Sequence, residues 1–240
     1  MVAIQKQVEI QKEYYSNTAE QYDKHHIDGD REHEIAFDLM CGLSKRYNVS
    51  SILDIGSGTG RVSLEIKKQL PKVNIIGIEP SEALRSIAYK KGLNPSEIVD
   101  GNAMSLNYND CEFDLVCEFA ALHHIPRPEL AVREMLRVAR RYIFISDSNN
   151  FGHGSLPVRS LKQGLNLFKC WKIFDLIKTR GKGYTISEGD GLAYSYSVFN
   201  NYDIIKKECS AIYVMNTSGN GFSHYRQSSN IALFGVKHKI

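Results

Sequence analysis

The sequence predicts an α/β fold: a doubly wound, mostly parallel seven-stranded sheet closed by a C-terminal antiparallel hairpin, with an inserted helical and loop segment. Three observations carry this expectation. Between residues 51 and 146, short β-branched runs alternate with helix-like stretches, the succession that βαβ units produce. The apolar residues of those runs are nearly continuous, as expected where helices cover both faces of a sheet. Beyond residue 200 come a helix-like stretch and two strand-like runs, separated by a loop carrying Gly219 and Gly221 and near enough in sequence to pair antiparallel.

The elements follow in order. Residues 7–26 form a helical stretch carrying Tyr14, Tyr15 and Tyr22. Strands are expected at 51–56, 73–79, 97–100, 113–119 and 142–146, with helices at 61–70, 81–92 and 129–141. Ser81 stands where an N-cap belongs and Gly92 where a C-cap belongs. Residues 147–200 are rich in Asn, Gly, Ser and Tyr around one helix-like stretch near 158–179. A helix at 202–209 and strands at 211–217 and 230–238 complete the chain. No internal repeat or linker divides it. The expectation is one domain over 1–240: an N-terminal helical cap at 1–50, a binding core at 51–149, a lid at 150–200, and the last helix and two strands at 201–240. An insertion that long in a compact domain is usually functional.

Composition excludes several classes. With 42% hydrophobic and 24% charged residues, the chain has the apolar content of a globular core. A net charge of +3 over 240 residues argues against a nucleic-acid partner recognised by bulk electrostatics. No apolar run reaches the ~18 residues of a membrane span, and the first residues lack a signal-peptide core, so a cytoplasmic location is expected. The five cysteines are scattered without C-x-x-C spacing, which speaks against disulfides and a structural zinc site. No metal cofactor is expected.

The most informative segment is Asp54-Ile55-Gly56-Ser57-Gly58-Thr59-Gly60, directly after a strand and directly before a helix. There, glycines let a ligand approach the backbone and meet the helix N-terminus. A tight turn alone would explain the string, but Glu79 ends the next strand, 25 residues after Asp54. A carboxylate there can accept hydrogen bonds from both ribose hydroxyls of a nucleoside. Dinucleotide loops read G-x-G-x-x-G, whereas here the third glycine is Gly60 and Arg61 follows. The segment resembles the first motif of class I S-adenosylmethionine-dependent methyltransferases, with their Rossmann-like fold. The resemblance continues through Glu79, through Gly101, Asn102, Ala103 and Met104, and through Phe113-Asp114-Leu115-Val116. It also takes in His123-His124-Ile125 and the helical run from Arg133 to Val138. Tyr14-Tyr15 and Ala19-x-x-Tyr22-Asp23 are similar to the family's N-terminal closing helix. It implies S-adenosylmethionine as cofactor and a binding set of Tyr22, Asp54, Gly56, Ser57, Gly58, Gly60, Glu79, Pro80, Asn102, Ala103, Met104, Glu118 and Phe119. Asn102 stands where the family usually has Asp, leaving its carbonyl oxygen to meet the adenine. The usual Pro-Gly-Gly turn before the fifth strand is missing.

Methyl transfer from a sulfonium requires chiefly alignment, a dry site and somewhere for an acceptor proton to go. His124, His123, Glu118 and Asp147, after the fourth and fifth strands, are the catalytic candidates. A histidine could act as base or could simply pack beside the cofactor. Glu118, Asp147 and Asn149 could instead gather magnesium, or be ordinary loop polarity. The fourth strand ends without the Pro-Pro pattern of many amino-methylases, and neither Cys111 nor Cys117 has the context of a thiol nucleophile, which leaves a small-molecule oxygen, nitrogen or carbon acceptor. Between residues 158 and 183 seven basic side chains stand against Asp175 alone. That charge could attract an anionic acceptor, touch a membrane surface peripherally, or maintain solubility. The rival functions are a nicotinamide-dependent oxidoreductase and a non-catalytic cofactor-binding protein.

Overall fold

The computed structural model describes residues 2–26, 31–219 and 221–238. Three helices come first: α1 (Val2–Thr18), α2 (Tyr22–His26) and α3 (Arg31–Arg46). The alternating core follows with β1 (Ser51–Ile55), α4 (Arg61–Gln69), β2 (Asn74–Ile78), α5 (Glu82–Lys90), β3 (Ile98–Val99), β4 (Phe113–Phe119), α6 (Pro128–Val138) and β5 (Ala139–Ser148). The inserted segment holds α7 (Leu156–Leu167), α8 (Trp171–Lys178) and the hairpin β6 (Thr185–Ser187) and β7 (Gly191–Ala193). Then come α9 (Tyr202–Glu208), β8 (Cys209–Asn216), α10 (His224–Gln227) and β9 (Asn230–Lys237).

The main sheet has seven strands in the order β3-β2-β1-β4-β5-β9-β8. Strands β1 to β5 run parallel to one another, and β9 is antiparallel to both β5 and β8. The direction of winding reverses between β1 and β4, where Ile55 pairs with Glu118, and ligands of open α/β sheets bind outside the carboxyl ends at such a point. Both faces are covered because the helices carry apolar stripes at the helical period. Helix α3 buries Ala36, Phe37, Met40 and Cys41 on one face, against Ile52, Phe144 and Phe234. Helix α6 buries Ala131, Val132, Met135 and Leu136 on the other, against Leu53, Val116 and Ile143. The larger of these side chains, Phe37, Met40, Val132, Met135 and Leu136, each contribute about 1.5–3 kcal/mol by leaving water.

Several boundaries depart from expectation for local reasons. Helix α6 stops at Val138 because Ala139 is drawn into the sheet opposite Phe113, so β5 is ten residues long and takes in Arg140 and Arg141. The stretch expected as one helix at 158–179 is two, α7 and α8, separated where Lys169 adopts a φ of 59°. The pair exposes Leu167, Phe168, Ile173 and Ile177 to solvent. Within the segment 147–200, residues 185–187 and 191–193 pair as the β6-β7 hairpin. Among the described residues, no helix is long and apolar enough to cross a membrane.

Candidate active site

The loop after β1 turns back through three glycines with positive φ: 71° at Gly56, 55° at Gly58 and 82° at Gly60. At Gly60 a Cβ would lie 2.3 Å from Leu93 Cδ1 and 3.0 Å from Ile98 Cδ1, so both backbone conformation and packing require glycine there. The loop is anchored to the neighbouring strand. Gly56 N–H donates to the Ile78 carbonyl at 2.8 Å, and Gly58 N–H donates to Glu79 Oε2 at 3.0 Å. The other carboxylate oxygen of Glu79 accepts from Ser81 N–H at 2.8 Å. Glu79 is buried, and burial pushes its carboxyl up to about 7 against the pull of those two N–H groups. Behind the loop, Thr59 donates to Asp23 at 2.6 Å, and Asp23 also pairs with Lys91, which ties α2 to the end of α5.

A cavity of about 570 Å³ opens above this loop, within the range of small-molecule sites. Its walls bring together Tyr22, Gly56, Glu79, Pro80, Asn102, Ala103, Met104, Phe119 and His124 of the residues expected to act. Asp54, Ser57, Gly58, Gly60 and Glu118 do not line it. Gly58 lies just behind the wall, where an added Cβ would come 3.3 Å from the Tyr22 hydroxyl. Asp54 sits buried beneath, accepting from the Cys117 thiol at 3.7 Å, and burial pushes its carboxyl up to about 7. Asn102 is exposed and its side-chain oxygen accepts from Met104 N–H at 2.9 Å, which leaves one lone pair for a ligand.

The catalytic candidates separate into two groups. The His124 ring lines the cavity, but Nδ1 lies 2.7 Å from the Leu192 carbonyl and Nε2 lies 3.4 Å from Asp190 Oδ1. Both nitrogens are therefore already faced by protein oxygens. His123, Asp147 and Glu118 form a layer behind the wall instead of facing the cavity. His123 Nδ1 is 2.7 Å from Asp147 Oδ1. Burial disfavours charge on His123, but Asp147 and Asp190 outweigh it and raise the ring to about 10. Burial, reinforced by Asp147, keeps the Glu118 carboxyl far above its ordinary range, while its Oε2 accepts from Ala121 N–H at 3.0 Å. The magnesium set considered from sequence does not converge. Asn149 donates to the carbonyls of His224, Tyr225 and Ser228, and Asp147 serves His123.

Sequence reasoning placed a closing helix at the N-terminus on Tyr14, Tyr15 and Tyr22 but did not single out the apolar stripe of that helix. Helix α1 lays Ile4, Val8, Gln11 and Tyr15 over the opening, a stripe at helical spacing that was readable in the first fifteen residues. No described residue beyond Pro126 lines the cavity, so the segment 150–200 does not form its roof. It reaches the site through the β6-β7 hairpin, where Gln11 Oε1 accepts from Leu192 N–H at 2.6 Å and the Tyr14 hydroxyl donates to the Glu188 carbonyl, and through Tyr194, whose N–H donates to the His123 carbonyl at 2.8 Å and whose hydroxyl donates to Gln7 Oε1 at 3.0 Å. The basic stretch of α7 and α8 contributes nothing to the walls.

Residues 53–142 match a family model described as a methyltransferase domain. The sequence is 30% identical over 130 residues to a demethylmenaquinone methyltransferase of Staphylococcus carnosus, covering 52% of this chain and 54% of that one. It is 36% identical over 93 residues to a norajmaline N-methyltransferase of Rauvolfia serpentina, covering 37% and 32%. The chain thus spans about half the length, or less, of the curated relatives it matches. Among solved structures, magnesium protoporphyrin IX methyltransferase from Synechocystis with bound S-adenosylhomocysteine superposes with a TM-score of 0.60 at 16% identity, over 97% of this chain and 100% of that one. A methyltransferase of Thermotoga maritima gives 0.59 at 19% identity, over 94% and 99%. Those likenesses show the fold. The fold is the Rossmann-like, seven-stranded sheet of those methyltransferases, and residues 53–142 are similar in sequence to a methyltransferase domain.

Proposed function

We propose that the chain binds S-adenosylmethionine in the cavity under α1 and transfers its methyl group to an oxygen, nitrogen or carbon of a small molecule. The observation that carries this reading is one continuous cavity joining Glu79 and the 102–104 segment to Gly56 and the carboxyl end of β4. A nucleoside lies along it with its ribose hydroxyls at Glu79, its base against Asn102, Ala103 and Met104, and its amino-acid arm toward Gly56. The sulfonium methyl then faces Phe119, Tyr15, Tyr22 and His124. In the displacement, the acceptor's lone pair forms the new bond to the methyl carbon while the carbon–sulfur pair returns to sulfur as a thioether. The donor is already activated, so the chain's part is to align acceptor and methyl and to keep water out. The aromatic walls and the α1 cover suit both.

A small acceptor with an apolar body fits these walls, and the relatives named above carry names of small-molecule methylation. Steering of an anionic acceptor by the 158–183 lysines has no support from the cavity. Calorimetry with S-adenosylmethionine, its demethylated product and a nicotinamide dinucleotide tests the cofactor. The first two are expected to bind with one site and the third not. Tight binding of the dinucleotide alone would replace this reading with the oxidoreductase. Methyl label transferred to a panel of phenolic, amine and quinol acceptors tests turnover, and binding without transfer across such a panel would favour the non-catalytic alternative.

A further inference from the structure

The geometry points to a divalent transition-metal site, independent of the cofactor reading, formed by His123 Nε2, His124 Nε2 and the Asp190 carboxylate. One ligand atom from each of these residues lies within 4.8 Å of the other two. The tautomers follow from the partners. A carbonyl oxygen only accepts, so His124 Nδ1, 2.7 Å from the Leu192 carbonyl, carries the proton. The neutral ring then turns its Nε2 lone pair toward Asp190 Oδ1 at 3.4 Å. His123 Nδ1 lies 2.7 Å from the buried Asp147 carboxylate and carries its proton in the same way, leaving Nε2 3.8 Å from Asp190 Oδ2. His124 thus turns a lone pair toward Asp190, while His123, whose ring the two aspartates hold in its charged form, gives up its Nε2 proton to solvent when an ion enters.

Distances distinguish an ion between these groups from direct hydrogen bonds. A charge-assisted N–H···O contact closes to ~2.8 Å, whereas two ligands each ~2.1 Å from a tetrahedral ion stand roughly 3.4 Å apart. The 3.4 Å contact equals that separation and the 3.8 Å contact needs a wider angle at the ion, so the three groups, within 4.8 Å of one another, draw together as it binds. The outer partners are also those of a metal site: a carboxylate behind one ligating histidine and a backbone carbonyl behind the other, each fixing the ring and raising its donor strength. The Asp190 side chain is 44% exposed while the two rings are 15% and 11% exposed, so an ion enters past the carboxylate to reach the two rings. Two imidazoles and a carboxylate suit zinc and its neighbours in the first transition row, and three protein ligands leave a position for water. In the fold the ion would bridge the loop after β4 to the β6-β7 hairpin, the element that Gln11 of α1 also grips.

The test uses the full chain, without an affinity tag, stripped of metal and titrated with Zn²⁺ by calorimetry and with Co²⁺ by visible absorption. One equivalent is expected to bind. Co²⁺ should give d–d bands of low-coordinate intensity, and Zn²⁺ should raise the melting temperature. Asp190→Ala, a change at a partly exposed hairpin position, should weaken binding at least tenfold while the metal-free melting curve stays cooperative. Asp147→Asn, acting through His123, should weaken it ~10–100-fold. Absence of saturable binding to the wild-type chain, or an Asp190→Ala isotherm identical to wild type, would overturn the site, the latter by moving the ion to histidines elsewhere such as His153 or His224. Should Asp147→Asn fail to fold, the Asp190→Ala comparison and the cobalt spectrum still decide.

Discussion

Glu79 makes cofactor binding depend on pH in a way that can be worked out in advance. Its carboxyl sits at about 7 where the unperturbed value is 4.5, because it is 4% exposed and two N–H donors do not fully offset the loss of water. Ribose hydroxyls need the ionised form as acceptor. Below pH 7 each unit should therefore weaken S-adenosylmethionine binding about tenfold, and above it the affinity should level off. The same shift has the opposite sign for the unliganded protein. The fold binds the proton more tightly than the unfolded chain does, so Glu79's contribution is fully present below pH 4.5 and is lost as the pH rises through 7. That amounts to about 3 kcal/mol. Glu79→Gln removes the titration and the charged acceptor, and should cost ~1.5–3 kcal/mol of cofactor affinity above pH 7. Calorimetry from pH 5.5 to 8.5 in two buffers of different ionisation enthalpy reads both effects, since binding near pH 6.5 must release a proton. If the Glu79→Gln protein kept the wild-type pH slope, the titrating group would lie elsewhere, on the ligand or at Asp54, and the assignment would fail.

Gly60→Ala should lower stability by about 1–3 kcal/mol, since its Cβ meets Leu93 at 2.3 Å with φ at 82°; thermal melting measures it, and an unchanged midpoint would mean the loop can relax freely. Gln11→Ala removes the acceptor for Leu192 N–H and should speed cofactor dissociation several-fold in stopped-flow traces, with equal rates counting against α1 as the cover. The Lys169→Ala, Lys172→Ala double variant should leave cofactor affinity and the acceptor's Michaelis constant unchanged, because neither residue lines the cavity; a salt-sensitive rise in that constant would return the basic segment to the active site.

What the sequence made legible was local chemistry. The glycine loop and Glu79 could be read because a strand, a turn and a helix N-terminus lie within a few residues of one another, and an acid one strand later has one place to go. The α/β alternation was readable for the same reason: each run carries its own period. The places where reading failed depend on contacts across the chain. Residues 183–191 carry Gly and acidic residues that suit a surface turn as well as a hairpin, and their β pairing is supported by Gln11, 181 positions from Leu192. The single helix expected near 158–179 failed at Lys169, a residue with ordinary helix propensity that takes a left-handed conformation between α7 and α8. Of the histidine pair, His124 lines the cavity and His123 lies behind it. Their nitrogens point where they do because Asp147 and Asp190 arrive from β5 and from the hairpin.

These long-range contacts meet at one junction. Gln11 comes from the cover, His124 from the loop after β4, and Leu192 from the hairpin, and their side-chain and backbone groups lie within hydrogen-bond reach of one another. The inserted segment thus touches the active site indirectly, through a strand of three residues that holds both the cover and a wall residue. A change in that hairpin alters the cavity by shifting α1 and His124 together, whereas α7 and α8 line no part of it. On the proposed function, selection of the acceptor would therefore fall to α1 and the carboxyl end of β4, with the hairpin as their common support.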